Sequence, residues 1–202
     1  SIAAEGFLIP DLPDEERIVD LSGVDWDALQ EATTRRYTAA ERIKQLLAER
    51  TSSIAQTNPT YEELAEKFEN LVEAYNNGSV NIDELIHRLR ALVGELDEYE
   101  QRLVTEDLTE EQLAVFDLLT KPEPELTDEQ QAQVKGLARE LFAHIEEALV
   151  LDWRKNQEGR GRVKVALETH LDQLPDVYEP DLYNTKCGLV YEYIFSRGEL
   201  VR

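Results

Sequence analysis

The chain has 202 residues, enough for one or two domains with a real core, and its 42% hydrophobic share is that of a folded protein and not of a disordered one. Its 43 acidic against 21 basic residues give a formal charge of -22, which repels nucleic-acid phosphates and anionic membranes wherever no local basic patch overrides it. A single cysteine, Cys187, excludes an internal disulfide, and no apolar run approaches the ~20 residues of a membrane span, so the expected setting is cytoplasmic. The chain contains no methionine, and no signal-peptide pattern follows Ser1; it reads as a piece of a longer polypeptide.

Residues 1–24 carry Gly6, Pro10, Pro13 and Gly23 among short apolar groups, which predicts an irregular arm. From Asp25 the spacing of Trp26, Leu29, Tyr37, Ala40, Ile43 and Leu47 predicts a helix with Thr33–Thr34 as its weak middle. Thr60 with Glu63 has the capping-box spacing, and Tyr61, Leu64, Phe68, Leu71 and Tyr75 form one stripe that Asn76–Asn77–Gly78 ends. Asn81 then caps a long strut in which Ile82, Leu85, Ile86, Leu89, Val93, Leu96, Tyr99 and Leu103 share a face.

The densest helical run is 108–174. Thr109 with Gln112, and Thr127 with Gln130, each mark a helix start, because the hydroxyl caps the third helical N–H while the amide reaches back. Between them Lys121-Pro122-Glu123-Pro124 lacks two backbone donors, so Leu113–Leu119 and Val134–Leu149 should lie in separate helices. Val163, Leu167, Leu171 and Leu174 resume the stripe, and Leu182, Cys187, Val190, Tyr191 and Ile194 predict a last helix ending at Gly198. No segment alternates with period two. The expected fold is all-α, an elongated multi-helix bundle or two packed sub-bundles, with an arm at 1–24, a first sub-bundle at 25–104 and a second at 105–202.

Chemistry-bearing patterns are sparse. Glu84 and His87 have the Glu-x-x-His spacing of carboxylate metal bundles, but such a site needs a second copy and two further glutamates. His144 and His170 read as helix-surface or boundary residues, and Cys187 as a small packing residue. No phosphate-cradling glycine loop is present, so no cofactor, metal or catalytic residue is expected in this stretch. The one basic concentration is Arg154, Lys155, Arg160, Arg162 and Lys164, with only Glu158 among them and Trp153 at its edge. It reads either as a docking surface for an acidic partner or DNA backbone, or as a solvated helix face paired with nearby glutamates. The aromatic terminal run, including Tyr191 and Tyr193, reads either as a subunit interface or as core.

Five strings occur in order: VDWDALQ at 24–30, NPTYEELAEKFENLVEAYNNGSVNIDEL at 58–85, EEQLAVFDLLTKPEPELT at 110–127, LVLDWRKNQ at 149–157 and DLYNTKCGLVYEYIF at 181–195. Together they resemble the C-terminal helical region of the restriction (motor) subunit of type I restriction-modification enzymes. The segment QEGRGRVKVALE at 157–168 departs from that pattern in being richer in glycine. The resemblance implies a parent subunit with a nuclease domain and motor domains that use ATP and Mg2+, acting as a site-specific deoxyribonuclease against foreign DNA. It further implies that this region packs on those motor domains and joins the subunit to the methyltransferase core, without catalysis of its own. Two other readings stay open from the residues alone: a helical module contacting nucleic acid through 154–164, and a metal-binding carboxylate bundle.

Overall fold

The computed structural model describes residues 21–31 and 36–197; the arm at 1–20 and the end of the chain from Gly198 lie outside them. The described residues form eight α-helices joined by short turns, four of them 3-10, with no strand among them. The chain is all-α. It divides into two compact units, Ser1–Asp107 and Leu108–Arg202.

In the first unit, α1 (Trp26–Glu31) precedes α2 (Arg36–Thr57), α3 (Glu62–Asn76) and α4 (Ile82–Glu106). The expected helix from Trp26 to Leu47 is described in α1 and α2, and its Thr33–Thr34 position falls in 32–35, outside the described residues. Helices α2, α3 and α4 pack pairwise, because each turns an apolar stripe inward: Ile43, Leu47 and Ile54; Leu64, Phe68 and Leu71; Leu85, Leu89, Leu92 and Leu96. Asn81 caps α4 by accepting the Glu84 N–H, as its position predicts. The predicted Thr60/Glu63 box does not form. Asn58 instead accepts the Thr60 N–H and hydroxyl, opening a 3-10 turn at Pro59–Tyr61, so α3 begins at Glu62 with no side-chain cap. An asparagine two residues upstream reaches the free N–H first. Gly78, at φ 80°, provides the left-handed turn after α3 that a side chain would resist. Arg36–Asp83 at 2.7 Å and Arg50–Glu100 at 2.9 Å join α2 to α4, and Lys67–Glu95 at 3.2 Å joins α3 to α4. Exposed pairs of this kind each contribute about 0–1 kcal/mol, so the apolar stripes dominate.

The second unit contains α5 (Glu110–Thr120), α6 (Asp128–Ile145), α7 (Gln157–Leu171) and α8 (Pro180–Ser196). Both capping boxes predicted for α5 and α6 are present in full. Every residue from Leu113 to Leu119 is buried, because α5 packs against both α6 and α8; the run includes Asp117, whose buried carboxylate pairs with Lys121 at 3.2 Å. Its C-terminal carbonyls, which no helical N–H reaches, are taken by side chains from the end of the unit. Tyr178 donates its hydroxyl to Leu119 O at 3.1 Å, and Lys186 donates its ammonium to Leu118 O and Lys121 O. Helix α6 ends at Ile145 and passes into a 3-10 turn at Glu146–Ala148, short of the expected Leu149. Gly159 and Gly161 do not interrupt α7.

Candidate interaction surface

The basic stretch starts in a turn and continues into α7. Asp152, in the left-handed region at φ 61°, reverses the chain into a 3-10 turn at Trp153–Lys155, and the Asn156 side chain caps α7 by accepting the Gly159 N–H. Trp153 is buried, edge-on to Tyr191 with ring centroids at 6.4 Å and to Phe195 at 5.7 Å. It therefore anchors the turn to α8 and presents no free face. Arg154, half-buried, donates to the Phe195 carbonyl at 3.3 Å at the C-terminal end of α8, where a cation complements the helix dipole.

The remaining cations are exposed, and most have neighbouring carboxylates. Lys155 pairs with Asp152 at 2.7 Å, Arg162 lies 3.9 Å from Glu158, and Lys164 lies 3.7 Å from Glu168. Arg160 has no partner among the described residues. It borders a groove of about 480 Å3 between α7 and α8, together with Lys164, Glu168, Tyr191 and Glu192. Two cations and two carboxylates thus share the groove. Gly161 and Gly188 lie in its walls, where an added Cβ would meet nothing within 4 Å.

Of the two tyrosines, Tyr191 is half-buried in the groove. Tyr193 is buried on another side of α8, its hydroxyl accepting from Arg197 at 3.2 Å. Burial pushes the Tyr193 phenol up to about 12, with the Arg197 charge opposing. The structure thus brings Arg160, Lys164 and Tyr191 to one groove, leaves Arg162 exposed on α7 outside its lining, and places Trp153 and Tyr193 in the framework beneath.

The other chemistry-bearing residues are placed as follows. Glu84 accepts from Arg88 at 2.6 Å and His87 is exposed. Cys187 is buried, and burial pushes its thiol up, away from the reactive thiolate. Tyr183, whose phenol is raised first by burial, donates to Asp172 at 2.7 Å. Among the described residues no group of three or more His, Cys, Asp and Glu side chains is placed to hold a metal ion. Among the described residues no helix is long and apolar enough to cross a membrane. Two features carried no sequence signal. Lys186 is a buried ammonium within an apolar helix, and His144 stacks on His170 across α6 and α7 with ring centroids 4.7 Å apart.

No curated protein and no solved structure matches the chain. A family model does: that of type I restriction enzyme HindI endonuclease subunit-like proteins, C-terminal, over residues 13–196. That span takes in both helical units, so the chain belongs to the family of C-terminal domains of type I restriction enzyme HindI endonuclease subunit-like proteins.

Proposed function

We propose that this chain is the non-catalytic docking domain of a type I restriction endonuclease subunit, joining the ATP-dependent DNA translocase and nuclease to the methyltransferase core in cytoplasmic defence against foreign DNA. The observation that supports this reading is the family match, whose description is the C-terminal part of type I restriction enzyme HindI endonuclease subunit-like proteins. ATP and Mg2+ belong, on this reading, to the motor domains of the parent and not to these helices. The face offered to a partner is that of α7 and α8 around Arg160, Lys164 and Tyr191.

Charge favours a protein partner over a duplex. Phosphate binding gains from each cation that releases a counterion, yet Lys155, Arg162 and Lys164 already face carboxylates of the same chain. Among the described cations of this stretch, only the Arg160 side chain has no partner, in a chain of formal charge -22. A groove lined by both cations and carboxylates suits a protein surface that also carries both signs.

The test mixes this chain, and a longer fragment including the adjacent motor domain, with the cognate methyltransferase core, and reads the mass of the product by size exclusion with light scattering. A stoichiometric complex is expected. Failure of both fragments to bind overturns the docking reading. Salt-sensitive duplex binding that disappears in Arg160→Glu/Arg162→Glu would instead favour the nucleic-acid reading.

A further inference from the structure

The chain has three histidines, and two of them meet. His170 on α7 is 1% exposed, with its Nε2 at 2.9 Å from the Leu137 carbonyl oxygen of α6. A carbonyl only accepts, so Nε2 carries the proton and Nδ1 is left with its lone pair. That Nδ1 is buried and has no hydrogen-bond partner. A buried acceptor without a partner is uncommon in a folded protein and calls for an occupant. Against the His170 ring, at 4.7 Å between centroids and tilted by 37°, lies the ring of His144, exposed in the last turn of α6 and held by no hydrogen bond or ion pair among the described residues.

The arrangement has the features of an imidazole ligand pair. Metal-bound histidines characteristically donate their second ring N–H to a backbone carbonyl, which fixes the tautomer and aims the lone pair; Leu137 supplies that carbonyl. With a metal–nitrogen bond of about 2.1 Å and a ring centre roughly 1.1 Å further on, two imidazoles at about 90–110° around one ion stand about 4.5–5.2 Å apart. The observed centroid separation is 4.7 Å. His144, being exposed, is free to turn a ring nitrogen toward the same point, a side-chain rotation that takes picoseconds to nanoseconds.

We propose that His144 and His170 form a two-imidazole site for a borderline divalent transition-metal ion of the Cu2+, Ni2+ and Zn2+ class, bridging the C-terminal end of α6 to α7. No third His, Cys, Asp or Glu completes it among the described residues. The ion's other positions are therefore filled by water. Imidazole nitrogen selects this class over Mg2+ and Ca2+, which take oxygen, and Cu2+ binds most tightly of the three. The inference rests on the second unit's geometry alone, independent of the docking reading.

The experiment titrates the chain with Cu2+ at neutral pH, following binding by calorimetry and nitrogen hyperfine coupling by electron paramagnetic resonance. One equivalent is expected, with coupling to two imidazole nitrogens. His144→Ala changes an exposed residue and keeps the fold, which circular dichroism verifies; it should weaken binding about tenfold or more and leave one coupled imidazole. His87→Ala, on the other unit, should change neither. Binding that is absent in the parent chain, unchanged by His144→Ala, or lost in His87→Ala overturns the site.

Discussion

Lys186 and Lys121 meet with an ammonium of α8 donating to a backbone oxygen just past the end of α5, at 2.6 Å. The same ammonium reaches Leu118 O at 3.1 Å, so one cation closes the C-terminus of the most buried helix of its unit. Burial holds the Lys186 ammonium below its ordinary range, partly offset by the Glu123 charge.

Replacing Lys186 by Met strands two carbonyls, at a cost of about 1–3 kcal/mol, read as a lower urea midpoint at neutral pH. The pH dependence has a definite sign. A lysine whose folded pKa lies below its unfolded value penalises folding while charged, and the penalty is relieved as pH rises through the folded pKa toward 10.5. The advantage of the parent chain over Lys186→Met should therefore widen as pH rises through the folded pKa toward 10.5. A gap that narrows there would mean that the charge, and not the donor geometry, stabilises the contact.

Tyr178 closes the neighbouring carbonyl, Leu119 O, and predicts the opposite trend. Burial pushes its phenol up to about 12. A raised folded pKa gives stability that is complete below the unfolded value of about 10 and is lost as pH rises through the folded one. Tyr178→Phe should cost about 0.5–1.5 kcal/mol at neutral pH from the lost hydrogen bond. Between pH 10 and 12 the parent should lose stability relative to the variant, and the two unfolding curves should converge.

Much of the architecture was legible because local chemistry is enough to write it. The capping boxes at Thr109 and Thr127, the Asn81 cap and the 3.6-residue stripes of α3, α4 and α6 are signals within one or two turns, and each appears where its residues place it. Lys186 was not legible, since a lysine in a helix reads as solvated and its partners are backbone carbonyls without side-chain identity. The stacking of His144 on His170 depends on the packing of α6 on α7, which no local pattern encodes. The basic stretch was legible as a string of cations but not as a surface. Trp153 and Tyr193 face inward because the 3-10 turn and the rotation of α8 decide which side of each residue is covered.

The turn at 153–156 also explains a glycine. A Cβ on Gly159 would lie 2.7 Å from Trp153 O and 2.8 Å from Trp153 Cα, both backbone atoms that cannot swing away. Gly159→Ala should cost about 1–3 kcal/mol, although alanine is the better helix former in isolation. Gly161→Ala, with nothing within 4 Å of its added Cβ, should be neutral or stabilising. Thermal melts of the two single variants check this, and equal midpoints would show that the turn yields.

Framework and surface separate in a last pair of variants. Trp153→Ala removes a buried indole that touches Tyr191 and Phe195, and should cost about 3–5 kcal/mol with loss of its fluorescence environment. Arg160→Glu changes an exposed residue without a side-chain partner among the described residues, so its unfolding free energy should stay within about 0.5 kcal/mol of the parent. The same substitution puts a third carboxylate beside Glu168 and Glu192 at the α7–α8 groove and removes one of its two cations. Binding to the methyltransferase core should weaken, chiefly through a slower and less salt-dependent association, as expected of a steering charge at an interface rim. If Arg160→Glu leaves that association rate unchanged while the fold is intact, the docking face lies elsewhere on the domain.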